Sequence, residues 1–288
     1  MIIQWNRHLL GGLLAAGLAA GGAHAADTKA TARATFASTK DAVISVTAVL
    51  KMEVGGRGAR GQDVEMCGTV IGADGLTVVS ATTLNPAIAL LDNLEKAGGD
   101  ERLGAKPKVD LSQIQYRLAD GTEVPARLAY QDKDLDLAFL VPDQKEGEKL
   151  PKFTAVEVKP GPKAQELDEA FCVTRLAKNM SYTPAVMIGH IVAVVTKPRT
   201  VYDFAITGTP VPGSPVFTAD GSLLGFMLVH RDGGGGAREM RALLGGGGEI
   251  VIMPAADVAE LIGQARKAAA KKPEKAASSA ASDKKEKE

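Results

Sequence analysis

Aromatic residues are scarce in this chain of 288 residues, with seven Phe, four Tyr and one Trp. A hydrophobic core must therefore be built mainly from Val, Leu, Ile and Ala. Cysteine is nearly absent too. Cys67 and Cys172 alone make no disulfide framework. Each sits in an apolar, strand-like run, so the pair reads either as one bridge or as two buried free thiols. Formal net charge is zero, which gives no bulk sign of nucleic-acid binding. No Cys-x-x-Cys or His-Glu-x-x-His spacing occurs, and the glycine runs lack the Lys-Ser/Thr of a phosphate loop. No metal site and no cofactor is indicated.

Long apolar runs are missing except at the start, where Leu9 to Ala20 follows Arg7 and His8. Ala23-His24-Ala25 supplies a small-x-small cleavage signal, so positions 1–25 read as a secretory signal peptide. The alternative is a membrane anchor, for which the run is short against a span of ~20 residues. Export to the periplasm or the extracellular space is expected, with no transmembrane segment left after cleavage. Only His190 and His230 then remain as histidines.

What is present is a series of short β-branched segments separated by turn signals. Strands are expected at Ala42–Leu50, Cys67–Gly72, Leu76–Ser80, Ile114–Leu118, Val124–Tyr130 and Leu135–Val141. A second set is expected at Ala170–Leu176, Val186–Val195, Tyr202–Thr207, Val216–Phe217, Leu223–Val229 and Glu249–Met253. Asp74-Gly75, Asp120-Gly121 and Asp220-Gly221 mark turns that need a positive φ. Gly55 to Gly61 reads as a Gly/Arg loop, Pro86 to Glu95 as a helix and Lys145 to Pro162 as a linker. Val258, Leu261, Ile262 and Ala265 fall on one face of a helix over 255–270. The expected organisation is a signal peptide (1–25), a polar leader (26–40), a first β-barrel lobe (41–150), a second (151–254), a terminal helix (255–270) and a disordered Lys/Ala/Glu-rich tail (271–288). Tetraglycine runs at 233–236 and 245–248 read as loops on the second lobe. Pattern alone fits two small barrels or a pair of β-sandwiches.

Motifs in order carry more. They are Gly68 to Gly75; Val79-Ser80-Ala81-Thr82-Thr83-Leu84; Leu118-Ala119-Asp120-Gly121 with Val124-Pro125-Ala126; Asp136-Leu137-Ala138-Phe139-Leu140; more loosely, Val186-Met187-Ile188-Gly189-His190-Ile191-Val192-Ala193; Gly213 with Pro215-Val216-Phe217, Asp220-Gly221 and Leu223-Leu224-Gly225; and Ile250-Val251-Ile252-Met253-Pro254. Together they resemble the HtrA-like branch of the trypsin-fold serine proteases, without a PDZ-length segment. That resemblance implies an all-β fold of two packed six-stranded antiparallel barrels with a C-terminal α-helix. It places Thr83 at the position of the family's catalytic His, Asp136 at the triad Asp and Pro212 at the nucleophilic Ser. Pro210 falls at the glycine whose N–H helps form the oxyanion hole.

The triad needs a hydroxyl nucleophile, a His to take its proton and an acid to orient that His. Thr83 accepts no proton near neutral pH. Pro212 has no hydroxyl, and neither Pro210 nor Pro212 has an N–H. The expectation is an exported pseudoprotease that binds a protein or peptide in the groove between lobes. A gapped alignment keeps the alternative of an active serine endopeptidase, with Ser214 as nucleophile and a non-standard base. In that reading His190 and His230 are the histidines available, and both belong to second-lobe strands.

Overall fold

The computed structural model describes residues 20–54, 57–87, 108–144, 147–230 and 249–271. The first barrel consists of β1 (Val43–Val54), β2 (Arg57–Val70), β3 (Thr77–Ser80), β4 (Lys108–Arg117), β5 (Glu123–Asp132) and β6 (Leu137–Pro142). It closes in the order β1-β2-β3-β6-β5-β4. The second consists of β7 (Glu169–Arg175), β8 (Pro184–Val195), β9 (Val201–Ile206), β10 (Pro215–Thr218), β11 (Leu223–His230) and β12 (Glu249–Pro254). It closes as β10-β11-β12-β9-β8-β7. All pairings are antiparallel, and bulges bend β1 against β4 between Thr47 and Val49, and β8 against β9 between Ile191 and Ala193. Closure leaves neither sheet with an open edge. Three α-helices complete the described chain: α1 (Ala20–Thr39), the short α2 (Ala81–Leu84) and α3 (Ala255–Ala270).

Alternation along the strands sorts the core. On β1, Ile44, Val46, Ala48 and Leu50 fill the first barrel together with Val79, Tyr116 and Leu140. Cys172, Ile191, Tyr202, Val216, Met227 and Ile252 fill the second. The opposite faces are also buried, because the barrels pack against each other. Val78, Leu137 and Phe139 of the first meet Phe226, Leu228 and Met253 of the second, with Val258, Leu261 and Ala265 of α3 wedged beside them. A second seam cluster joins Val43 and Cys67 to Phe171, Val173 and Phe217, and Ala32 of α1 packs into it. The Phe171 and Phe217 rings stack with centroids 5.6 Å apart.

α3 is fastened to the first barrel although it follows the second. Arg127 Nη2 donates to the Ala269 carbonyl at 2.6 Å, and Arg266 pairs with Asp74 at 3.5 Å. The three Asp-Gly turns have φ of 79°, 85° and 85° at Gly75, Gly121 and Gly221.

Three stretches differ from the sequence expectation. Arg57 to Gly61 is strand rather than loop, because the β1–β2 ladder runs on through Lys51↔Gly61 to Val54↔Arg57. The stretch expected as a polar leader is part of α1, with Ala32 and Thr28 buried. The linker residues are packed: Phe153 lies in the first barrel's core, and Val156 N donates to Val70 O at 2.9 Å. The helix expected over 86–95 falls, from Ile88 on, outside the described residues. So do both tetraglycine runs, the tail beyond Lys271 and positions 1–19 of the expected signal peptide.

Candidate functional site at the barrel seam

Asp136 ends the connection between β5 and β6 with φ of 55°, and it is buried. Its carbonyl accepts Ala81 N at 2.9 Å, which anchors the start of α2. Its carboxylate accepts four hydrogen bonds. Thr82 supplies its N–H at 2.7 Å and its hydroxyl at 2.5 Å to Oδ1. Ser80 Oγ donates to Oδ2 at 2.6 Å, and Val229 N of the second barrel donates to the same oxygen at 2.8 Å. One carboxylate thus ties β3, α2 and β11 together.

Ser80 also caps α2, accepting Thr83 N at 3.2 Å and the Thr83 hydroxyl at 3.0 Å. Thr83 therefore reaches Asp136 only through Ser80. This chain of hydroxyls ends on an acid, and it contains no imidazole to act as a general base.

The loop before β10 approaches the same seam. Gly213 has φ of 91°, and a Cβ there would collide with the Cys67 carbonyl, so only glycine fits. Gly213 N donates to Met227 O at 2.7 Å, and Met227 N donates to Ser214 O at 2.9 Å. Thr69 of the first barrel donates its hydroxyl to Gly213 O at 2.7 Å. Ser214 N donates to Val211 O at 3.3 Å. Within the loop, two positions are prolines without N–H, and the N–H groups of Gly213 and Ser214 are engaged internally.

Ser214, the alternative nucleophile, is fully buried. Its hydroxyl lies 2.8 Å from Thr174 Oγ1 and 3.7 Å from Cys67 Sγ. Pro210, Val211 and Pro212 are half-buried, as are Thr82 and Thr83. The loop's hydroxyl is buried, whereas Pro210, Val211 and Pro212 are partly accessible.

β11 brings the parts together. Met227 holds the loop and Val229 holds Asp136, two residues further along one strand, about 7 Å. His230 ends β11 one residue beyond Val229, opposite Glu249 on β12. His190 is exposed on β8, between Glu169 and Ala205 in register. Cys67 and Cys172 are buried free thiols. Burial pushes the Cys67 thiol up, opposed by hydrogen bonds from Ser214 and Thr174 and by the Arg175 charge. Burial takes Cys172 up to about 12. Among the described residues no group of three His, Cys, Asp or Glu side chains is placed to hold a metal, and no helix is long and apolar enough to cross a membrane.

The Thr82 contacts, the Val229 donor and the buried Cys67–Thr174–Ser214 cluster have no counterpart in the sequence expectations. The Ser80 cap was within reach, because a Ser directly before a short Ala-Thr-Thr-Leu turn is an N-cap signal.

Two six-stranded antiparallel barrels, each closed on itself, and one C-terminal helix define the class: the fold is trypsin-like. Among solved structures, the chain is similar to an HtrA-type protease, AlgW, determined with a decapeptide. The TM-score is 0.51 at 16% identity, over 81% of this chain and 67% of that one. No protein-family model and no curated protein matches the sequence.

Proposed function

We propose that this chain is an exported, trypsin-fold pseudoprotease that binds a peptide or protein in the groove between its barrels. The observation that carries the reading is the loop at 210–214. Its half-buried residues are Pro210, Val211 and Pro212; the two prolines offer neither hydroxyl nor N–H, Val211 offers no hydroxyl, and the loop's one hydroxyl, on Ser214, is fully buried. Thr83 stands where a general base is needed. Dismantling a catalytic triad costs about 10⁶-fold in kcat. The missing oxyanion donor adds roughly 10²–10³-fold. A peptide ligand is favoured because the similar HtrA-type protease was solved with a decapeptide.

Export follows from the cleavage signal at Ala23-His24-Ala25, and the mature chain should begin near Ala26 when envelope-fraction protein is sequenced from its N-terminus. An intact Met1 in a cytoplasmic pool overturns that part. For activity, the purified chain should neither hydrolyse casein or peptide esters above background nor label with a fluorophosphonate probe. Labelling that disappears in Ser214→Ala would instead establish the active-peptidase reading.

A further inference from the structure

Away from the loop and the acid, the β4–β5 hairpin of the first barrel and the β7–β8 turn of the second enclose a cleft of about 230 Å³. Arg117, Arg175, Ser181, Tyr182 and Thr183 line it, and among the described residues no acidic side chain does. Arg175 is only 7% exposed, and its hydrogen bonds run to backbone carbonyls. Its Nε donates to Val43 O at 2.7 Å, Nη1 to Tyr182 O at 2.9 Å and Nη2 to Lys40 O at 3.0 Å. Three carbonyls occupy three of five N–H groups, and none of these acceptors is a carboxylate. Burial pushes this guanidinium's pKa down; the charges that oppose that are Cys67, whose own buried thiol stays protonated, and the exposed Asp41.

Arg117 stands at the rim. Its guanidinium lies 4.9 Å over the Tyr182 ring and pairs with the exposed Glu123 at 3.0 Å. Stacking holds the fork in place while one contact is shared with an acid. The floor between the two arginines is strained. Ser181 and Tyr182 are successive non-glycine residues with φ of 54° and 55°. Such conformations are costly and gather at ligand sites.

We propose that this cleft is a second binding site, which takes the carboxylate of a peptide or protein partner. Arg175 contributes one positive charge, opposed only by the exposed Asp41, which does not line the cleft, and Arg117 is already shared with Glu123. The site is therefore matched to a monoanion, where a phosphate dianion would be only half compensated. The guanidinium fork at the rim suits the planar carboxylate. The proposal is independent of whether the seam site is catalytic.

The test is a titration of the full chain followed by the backbone amide resonances of Gly121, Ser181 and Thr183. The probes are acetyl-Asp-Gly-amide, acetyl-Asn-Gly-amide and inorganic phosphate. The Asp dipeptide should shift these three amides saturably, with the Asn dipeptide at least tenfold weaker. Arg117→Gln should weaken the Asp dipeptide at least tenfold, whereas Arg266→Gln on α3 should leave it unchanged. Arg175→Gln removes three backbone contacts and can unfold the chain, so the half-buried Arg117 carries the test. Equal shifts with the Asn dipeptide, or an unchanged affinity in Arg117→Gln, overturn the proposal. So do phosphate saturating the same amides at tenfold lower concentration, and shifts confined to amides elsewhere.

Discussion

The two sides of the seam are fastened by different chemistry. On one side a single carboxylate, Asp136, collects donors from Ser80, Thr82 and Val229 and so joins both barrels. On the other, a glycine carbonyl, three buried hydroxyls or thiols and a strand ladder hold the loop. The acid has a full set of partners without any histidine. Its presence is explained by the packing of the fold, and it gives no argument for catalysis. The half-buried prolines of the loop have no comparable duty. The fold depends on Gly213 and Ser214 behind them, not on what stands at 210 and 212.

Asp136→Ala should produce the largest loss. Four donors lose their acceptor at once, Ser80 Oγ and Val229 N buried and the two of Thr82 half-buried, and unmatched buried groups cost about 1–3 kcal/mol each before relaxation. A net loss of about 3 kcal/mol in urea unfolding is expected, with Asp136→Asn about half as costly because one carbonyl oxygen remains. A loss below about 1 kcal/mol for the Ala variant would show that the barrels are held together without the carboxylate, and the contrast with the loop would collapse.

The core of the second barrel predicts a pH effect of opposite character. Cys172 has its folded pKa raised to about 12 by burial, whereas an unfolded thiol titrates near ~8.5. Above ~8.5 the unfolded chain releases a proton that the folded chain keeps, so stability falls as pH rises. The contribution is intact below the unfolded pKa and is lost by about pH 12. Between about pH 8 and pH 10 this one thiol should lower stability by about 2 kcal/mol, with Cys67 acting in the same direction. Denaturant midpoints across that range check it, with Cys172→Ala as the reference whose decline should be shallower. An equal decline in both proteins would assign the effect to lysines and tyrosines instead. Native protein at about pH 8 should also react negligibly with a thiol reagent.

Most of the fold is legible in the sequence because barrel strands announce themselves twice. β3, β6 and β11 are buried on both faces, one toward a barrel core and one toward the seam, and so read as continuous apolar runs: Leu137-Ala138-Phe139-Leu140 is the clearest. Asp-Gly turns set the spacing. The sequence cuts β2 short because Arg57 to Gly61 lacks apolar alternation; its partner β1, not its own residues, keeps it extended. The α1 segment has no apolar face strong enough to be read locally; Ala32 and Phe36 become meaningful only against the second barrel. At the site, Thr83, Asp136 and the proline loop could be named from motif order. The inward orientation of Ser214 could not, because it depends on the loop's ladder to Met227 and on Cys67 and Thr174 from two separate strands.

Ser214→Ala sharpens that point. The hydroxyl sits in a buried cluster with Thr174 and Cys67, so its removal should cost about 1 kcal/mol, the usual net value of one internal hydrogen bond. The loss should be matched by Thr174→Val and should not add to it, since both substitutions remove the same contact. Additive losses, measured by a double-mutant cycle, would mean that the two hydroxyls serve different partners.

Pro212→Ser should have the smallest effect, and it restores the hydroxyl at the position where the resemblance places a nucleophile. Pro212 is half-buried, and the hydrogen bonds that hold the seam run through its neighbours. Losing the ring's restriction on the unfolded chain costs about 0.5 kcal/mol, and little else changes. The new hydroxyl should remain unlabelled by a fluorophosphonate, because Thr83 supplies no base and Pro210 still lacks an N–H. Adding Thr83→His places an imidazole beside Ser80 and Asp136, and adding Pro210→Gly returns the donor; only this triple variant contains every group the chemistry needs. If Pro212→Ser alone destabilised the chain as much as Asp136→Ala, the loop would be as structural as the acid. If it alone became reactive, the pseudoprotease reading would rest on one residue rather than three.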